Sequence, residues 1–304
     1  MEPPRVADTK MADAVTKSKR TSATSLKSPR EWQPTDLTSE DVRVERAGSA
    51  VKITLARAKK GNSMTPSMLS SLTALYRDLA TDPTVFTITL AGDGKFSCTG
   101  MDFSEDTDRS SAEGNFYRKV RDLFKAIEDV PQTTIALIAG PAFGSGVGLT
   151  FACDVRIVAS TARWTLSEVK LGLQPAVLSR FMSREWGFSC TREAMLSGPE
   201  ASPAELHRIG AVHQVVDDPS TLPQALDKYL DVLDQCAPKS DGEIKELIRL
   251  AWKDAGDEKQ DAFIEEKVLK MMTPGSEDEH GISQFEKKIR PVDWKAFWAP
   301  KSKF

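Results

Sequence analysis

The stretch GPAFGSGVGLTFACD, residues 140–154, places Gly140, Gly144, Gly146 and Gly148 around Ser145, behind the apolar run TTIALIA. Glycines in such a loop let backbone amides approach a ligand, and the neighbouring residue types decide which ligand. A dinucleotide site needs G-x-G-x-x-G opening a helix after the first strand of its unit; here the spacing is G-x-G-x-G, about a hundred residues beyond the first strand. A P-loop needs a lysine after its last glycine, and Gly148 is followed by Leu149 and Thr150. A nucleophile elbow needs G-x-S-x-G, and around Ser145 those positions hold Phe143 and Val147. What survives is a bend that leaves a strand and enters a helix. It turns unpaired N–H groups outward at the positive end of the helix dipole, where they bind an oxyanion.

An oxygen that gains charge during a reaction is held best by two donors. FSCTGMD, residues 96–102, is a second strand end that turns at a glycine, Gly100, and the two strand ends are able to lie side by side. Glu168 supplies a carboxylate 14 residues after Asp154, among Trp164, Leu166 and Val169. Partial desolvation there raises its pKa and suits it to carry a proton. On the residues alone, a surface glutamate beside Lys170 is the plainer reading.

The elements that must position these groups follow a repeating order. VRVER and VKITLAR alternate apolar and polar residues across AGSA, a hairpin signal. Thr65 and Pro66 then supply an N-cap and a first-turn proline for a helix, with Met68, Leu69, Leu72, Leu75, Tyr76 and Leu79 at helical spacing. TVFTITLAG predicts a strand, FSCTGMD an extended segment, and Phe116, Val120, Leu123, Phe124 and Ile127 one face of a helix ending at Pro131. A third unit comprises TTIALIA, the glycine cluster, a short helix through GLTFAC, the strand VRIVAS and an extended RWTLSEV. Beyond about residue 175 the pattern is mostly helical, with Ser202, Pro203 and Glu205 forming a capping box and AVHQVV one late strand. The tail from about 240 to 298 reads as amphipathic helices carrying Trp252, Trp294 and Trp298, which packing explains better than chemistry.

Composition narrows the function classes. The 304 residues hold 41 Lys and Arg against 44 Asp and Glu, a net charge of −3, so the cationic surplus that phosphate backbones require is missing and nucleic acid is not the expected partner. No run approaches the ~20 apolar residues of a membrane span, which predicts a soluble protein without a membrane partner. Cys98, Cys153, Cys190 and Cys236 have neither disulfide-framework nor metal spacing, so free thiols in a reducing compartment are expected, with no metal. Residues 1–40 are rich in Ser, Thr, Ala, Lys and Arg and read as a disordered basic arm. Glu2, Asp8 and Asp13 argue against a mitochondrial transit peptide. The chain ends in SKF, one residue away from the S-K-L peroxisomal address, which leaves a peroxisomal or cytoplasmic location as the expectation.

Taken together, FSCTGMD, GPAFGSG, ACDVRIVASTARW, LSEVKLGLQPA and LSGPEASPAELHRIGAVHQVV resemble, in order and spacing, the crotonase superfamily of enoyl-CoA hydratases and isomerases. The resemblance runs from about residue 42 to 300. It implies an α/β fold of the crotonase type, a spiral of repeated ββα units with a C-terminal helical region: a core over 41–235 and an oligomerisation and coenzyme-A-covering region over 236–304. It also implies a homotrimer or a dimer of trimers, and an acyl-CoA thioester substrate with no separate cofactor. The oxyanion-hole donors implied are the backbone N–H groups of Met101 and Ser145, the Ser145 side chain being incidental, and Glu168 is the implied general acid/base. ARAKKGNSM resembles the loop that lies against coenzyme A, bringing in Arg57, Ala58, Lys59 and Asn62, while Gly100, Gly144 and Gly148 line the substrate. Lys287, Lys288 and Arg290 either reach coenzyme A phosphates from a neighbouring subunit or form a solvated face. Asp102 and Asp154 are expected to be structural, and His207 and His213 to be packing residues.

One position departs from the resemblance. Two-acid hydratases carry a further glutamate where this chain has Gly148. Single-glutamate members include Δ3,Δ2-enoyl-CoA isomerases and a branch acting on 3-methyl acyl-CoAs, and SEVKLGLQPAVLSRFMSREWG resembles the latter. The expectation is therefore hydration or dehydration of a branched 2-enoyl-CoA. The alternatives are Δ3,Δ2-isomerisation and, in another class, a non-catalytic acyl-CoA-binding protein of the same fold.

Overall fold

The computed structural model describes residues 28–102, 104, 116–171, 173–253, 262–266, 274–289 and 291–299. The basic arm through residue 27, Arg290 and the terminal SKF, with the expectations placed on them, lie outside the described residues. Apolar alternation produces the expected hairpin: β2 (Val42–Ala47) and β3 (Ala50–Leu55) pair antiparallel across Gly48 and Ser49, after a short β1 (Gln33–Pro34) on the outer edge of β2. Gly48 takes φ +63, which a two-residue turn requires and a side chain disfavours. From β3 the sheet continues in parallel through β4 (Thr87–Gly92), β5 (Thr133–Ile138), β7 (Val155–Ala159) and β10 (Gln214–Val216). Parallel neighbours need crossovers, and helices supply them.

Helix α1 (Pro66–Thr81) starts where the sequence places it, with the Thr65 side chain accepting from the Met68 N–H, and it buries Met68, Leu69, Leu72, Leu75, Tyr76 and Leu79. Each such Leu or Met contributes about 1.5–3 kcal/mol by leaving water, far more than the cap's ~1 kcal/mol. Helix α2 (Phe116–Asp129) buries Val120, Leu123, Phe124 and Ile127 against the same core and stops before Pro131. Helix α3 (Ser145–Phe151) is buried along its whole length. Beyond it lie α4 (Ala176–Glu185), α5 (Gly187–Ser197), α6 (Pro203–Arg208, with the predicted capping box), α7 (Leu222–Leu233) and α8 (Pro238–Lys253). Helices α9 (Glu277–Glu286) and α10 (Trp294–Trp298) follow. The described residues from Glu31 onward form one compact unit. Lys245 of α8 binds Asp154 Oδ2 at 2.7 Å and Gln132 O at 2.8 Å, tying α8 to the starts of β7 and β5, and Arg249 binds Glu128 O of α2 at 2.7 Å. No helix among the described residues is long and apolar enough to cross a membrane.

A second layer of short pairings positions the site. β6 (Ala142–Phe143), β8 (Trp164–Thr165) and β9 (Glu200–Ala201) form a three-stranded sheet, extended by single bridges between Cys98 and Ala142 and between Met64 and Met101. The chain thus repeats long strand, short strand, helix, the unit read from the sequence. The two glycine-bearing segments cross at backbone contact. A Cβ on Gly140 would lie 2.0 Å from Lys95 O, and one on Gly146 would lie 2.2 Å from Cys98 O. Neither glycine has a left-handed φ, so the requirement is space. Gly140→Ala is expected to lower stability by at least about 3 kcal/mol, as forced overpacking against rigid backbone does, measured as the urea unfolding free energy against wild type.

Candidate active site

The Met64–Met101 bridge decides where the first amide points. Met64 N–H donates to Gly100 O at 2.8 Å and Met64 O accepts from Asp102 N–H at 2.9 Å. Met101, between those two, turns its own N–H away from Met64, and among the described residues that N–H has no acceptor. The segment Phe143–Ser145 runs alongside. A Cβ on Gly100 would lie 3.0 Å from Phe143 O, 3.4 Å from Ser145 Oγ and 3.5 Å from Ser145 N. Gly100, at φ +96, is glycine for conformation and for closeness together. Ser145 is the first residue of α3, so its N–H has no carbonyl in its own helix, and among the described residues it finds no acceptor elsewhere. Two free amides on adjacent segments are the arrangement an oxyanion requires.

The carboxylate comes to the same place. Gly144 takes φ +50 and ψ −124, and a Cβ there would lie 3.1 Å from Glu168 Oε1 and 3.5 Å from its carboxyl carbon. Glu168 opens a 3₁₀ turn, Glu168–Leu171, just after β8, and Gly144 N–H donates to Thr165 O of β8 at 3.1 Å, so one pairing fixes both residues. Burial pushes the Glu168 carboxyl above its ordinary 4.5, and its Oε2 is buried without a partner. Lys170, the counter-ion of the surface reading, donates instead to Gly198 O at 2.8 Å. Among the described residues no cation pairs with Glu168.

At Gly148 a Cβ would lie 2.5 Å from Phe124 Cε2, 2.8 Å from its Cζ and 3.0 Å from Leu178 Cγ. The expected substrate-lining role of Gly148 is therefore revised: the residue faces the core, and an aromatic ring fills the space a longer side chain would take. Asn62 is corrected in the same way. It is fully buried at φ +55, and its Nδ2 donates to Asp93 O at 2.8 Å and Phe96 O at 2.7 Å, so it clamps the turn leading into the segment 96–102 and has no face for a ligand. Arg57 is spent on Asp41 at 3.3 Å, Asp102 at 3.1 Å and Ser63 O at 2.6 Å, which makes it a brace of that strand. Asp102 is structural as expected, held at a pKa of about 2 first by hydrogen bonds from Ser104 and then by Arg57. Asp154 pairs with Lys245. His207 and His213 bond to Val212 O and Arg156 N–H, in neither case at the site.

Ala58, Lys59 and Lys60 form an exposed 3₁₀ turn. A Cβ on Gly94 would lie 2.9 Å from Ala58 Cβ, so this turn touches the loop that carries Lys95. Sequence reasoning passed over Lys60, Lys95 and Phe96. Their signal was GDGKFS running into FSCTGMD, a lysine and an aromatic ring at the start of that segment, with Phe96 and Phe143 centroids 6.2 Å apart. Among the described residues the ammonium groups of Lys59, Lys60 and Lys95 have no carboxylate partner.

The sequence profile of the enoyl-CoA hydratase/isomerase family matches residues 45–296. The chain belongs to that family. Relatives include enoyl-CoA hydratase AFT6-1 of Alternaria alternata, 40% identical over 251 residues that span 83% of each chain. The mitochondrial methylglutaconyl-CoA hydratase of Homo sapiens is 30% identical over 210 residues, 66% of this chain and 62% of that protein. Among solved structures, Pseudomonas aeruginosa AtuE superposes with a TM-score of 0.77 at 27% identity, over 86% of this chain and all of that one. The α/β crotonase architecture expected from the sequence is thereby established for this member of the enoyl-CoA hydratase/isomerase family.

Glu168 and the structural Asp102 respond to pH with opposite sign. Glu168 has a raised folded pKa, so the folded state holds its proton longer than the unfolded chain. Stability then falls as pH rises from about 4.5 through the folded value. Glu168→Gln should melt no lower than wild type at pH 7 and converge with it below about pH 4. Asp102 has a depressed pKa, so its contribution is complete above the ordinary 3.8 and lost as pH falls through about 2. Asp102→Asn should melt about 2–4 °C lower at pH 7, the gap closing towards pH 2 in calorimetry.

Proposed function

We propose that this enzyme adds water to, and removes it from, the double bond of a 2-enoyl-CoA carrying a methyl branch at C3. The observation that carries the reading is the Glu168 carboxyl resting on Gly144 Cα while the unpartnered amides of Met101 and Ser145 occupy the adjoining segments. In hydration the water oxygen bonds to C3, and the C2=C3 electron pair moves to the thioester oxygen as an enolate. The water proton goes to Glu168, which returns a proton to C2. Dehydration is the reverse. The enolate oxygen rests on the two N–H groups, each donor supplying about 3 kcal/mol where its charge develops. Glu168 supplies about 10² to 10⁴ in rate, and its raised pKa brings it nearer to the working pH of a general acid/base.

Support for a coenzyme A thioester comes from Lys59, Lys60 and Lys95, exposed cations on two touching loops within reach of phosphates. Support for the branch comes from the SEVKLGLQPAVLS stretch that carries Glu168 and from the human relative, whose name puts a methyl group on its substrate. A second reading, Δ3,Δ2-isomerisation, is favoured by one observation. With the space at Gly148 closed by Phe124 and Leu178, Glu168 is the one carboxylate that the described residues bring to the two amides, and a shuttle of one proton between C4 and C2 needs no more.

Turnover of an acyl-CoA panel in ¹⁸O-labelled water, read by mass spectrometry, separates these readings. Hydration predicts one heavy oxygen at C3 and the fastest turnover with 3-methyl-2-enoyl-CoA. A shifted double bond without label establishes isomerisation instead. Glu168→Gln should lower kcat by about 10² to 10⁴, and unchanged turnover in that variant would eliminate Glu168 as the acid/base.

A further inference from the structure

Ser145 brings a second polar group to the site, its hydroxyl, to which the sequence assigns nothing. The residue is 6% exposed, and its Oγ is buried without any hydrogen-bond partner. Buried hydroxyls normally find one, because an unpaired polar group loses its water for no return. Other helical hydroxyls of this chain turn back to a carbonyl four residues earlier: Thr150 to Gly146 O at 3.1 Å, Thr73 to Leu69 O at 2.6 Å. Ser145 opens its helix and has no such carbonyl behind it. Glycine at this position would keep the amide and avoid the orphaned oxygen.

The direction of the hydroxyl supplies the second observation. Oγ lies 3.4 Å, and the Ser145 amide nitrogen 3.5 Å, from the same point beside Gly100. Side chain and amide therefore face the Gly100–Met101 turn from one side. Resting on the reading given above, we propose that the Ser145 hydroxyl is a third hydrogen-bond donor to the thioester oxygen, beside the main-chain N–H groups of Met101 and Ser145. The hydroxyl keeps its proton throughout. It rotates towards the oxygen as charge develops there, and an O–H donor to a charged oxygen forms a short, strong bond. This chain has particular use for it, because Phe124 occupies the space over Gly148 from which another polar side chain would otherwise act.

The test reads the charge on the ligand directly. A 3-oxoacyl thioester such as acetoacetyl-CoA ionises to an ultraviolet-absorbing enolate, and donors at its oxygen lower the pH at which it does so when bound. Ser145→Ala keeps both amides and removes only the hydroxyl; Ser145→Gly does the same without adding bulk and serves if the alanine variant folds poorly. Expected in either is a rise of about one unit in the bound ligand's apparent pKa relative to wild type. A fall in kcat of about 10- to 100-fold, smaller than the full loss of a main-chain donor, with KM within about threefold, should accompany it. Ser145→Thr, which retains the hydroxyl, should restore the wild-type ligand pKa. Wild-type protein that lowers the ligand pKa, with Ala and Gly variants that lower it equally, overturns the third donor alone. Wild-type protein that binds the ligand and leaves its pKa unchanged overturns the oxyanion site itself.

Discussion

The structure depends on the close crossing of two backbone segments, residues 95–102 and 140–146. Gly140 and Gly146 let those segments meet at distances no Cβ would permit, against Lys95 O and Cys98 O. Crossing there, the Met64 bridge and the start of helix α3 leave the N–H groups of Met101 and Ser145 without a partner among the described residues. An unpaired buried donor costs about 1–3 kcal/mol, so the rest of the fold must hold the crossing in place. It does so from outside: Asn62 clamps the 93–96 turn, Arg57 braces Asp102, and the buried faces of α1 and α2 secure the strands beneath.

Electrostatic isolation of Glu168 follows from the same framework. A lysine two residues away would normally stabilise the anion and depress its pKa, but Lys170 is anchored on Gly198 O. Burial, with Gly144 close by, removes water from the carboxyl group. Phe124 and Leu178 close the helix face at Gly148. Lys59, Lys60 and Lys95, by contrast, are exposed.

Local signals in the sequence account for the elements with the strongest periodicity. The hairpin, α1 with its Thr65 cap, the apolar face of α2 from Val120 to Ile127 and the Ser202 capping box are each determined by residues within a few positions of one another. The short pairings of the second layer were less legible, since β8 and β9 are two residues long and exist only through partners distant in sequence. At the site, the residues alone suggested two glycine-bearing strand ends, and the family resemblance added Met101, Ser145 and Glu168; in the fold Gly100 adjoins Ser145 and Gly144 adjoins Glu168. Side-chain assignments that needed three-dimensional bookkeeping went astray. Arg57 and Asn62 look like ligand-binding residues in a loop of lysines, yet both are consumed by carbonyls and carboxylates up to 45 positions away. The ring over Gly148 was similarly invisible, because Phe124 reads as one more member of an apolar helix face.

The most direct measurement is a crystal structure of the protein with a saturated acyl-CoA bound. The account predicts the thioester oxygen about 2.7–3.1 Å from the amide nitrogens of both Met101 and Ser145, with a Glu168 carboxylate oxygen facing C2 or C3 of the acyl chain. A thioester oxygen seated away from either amide, or a Glu168 side chain turned out into bulk solvent, would contradict it.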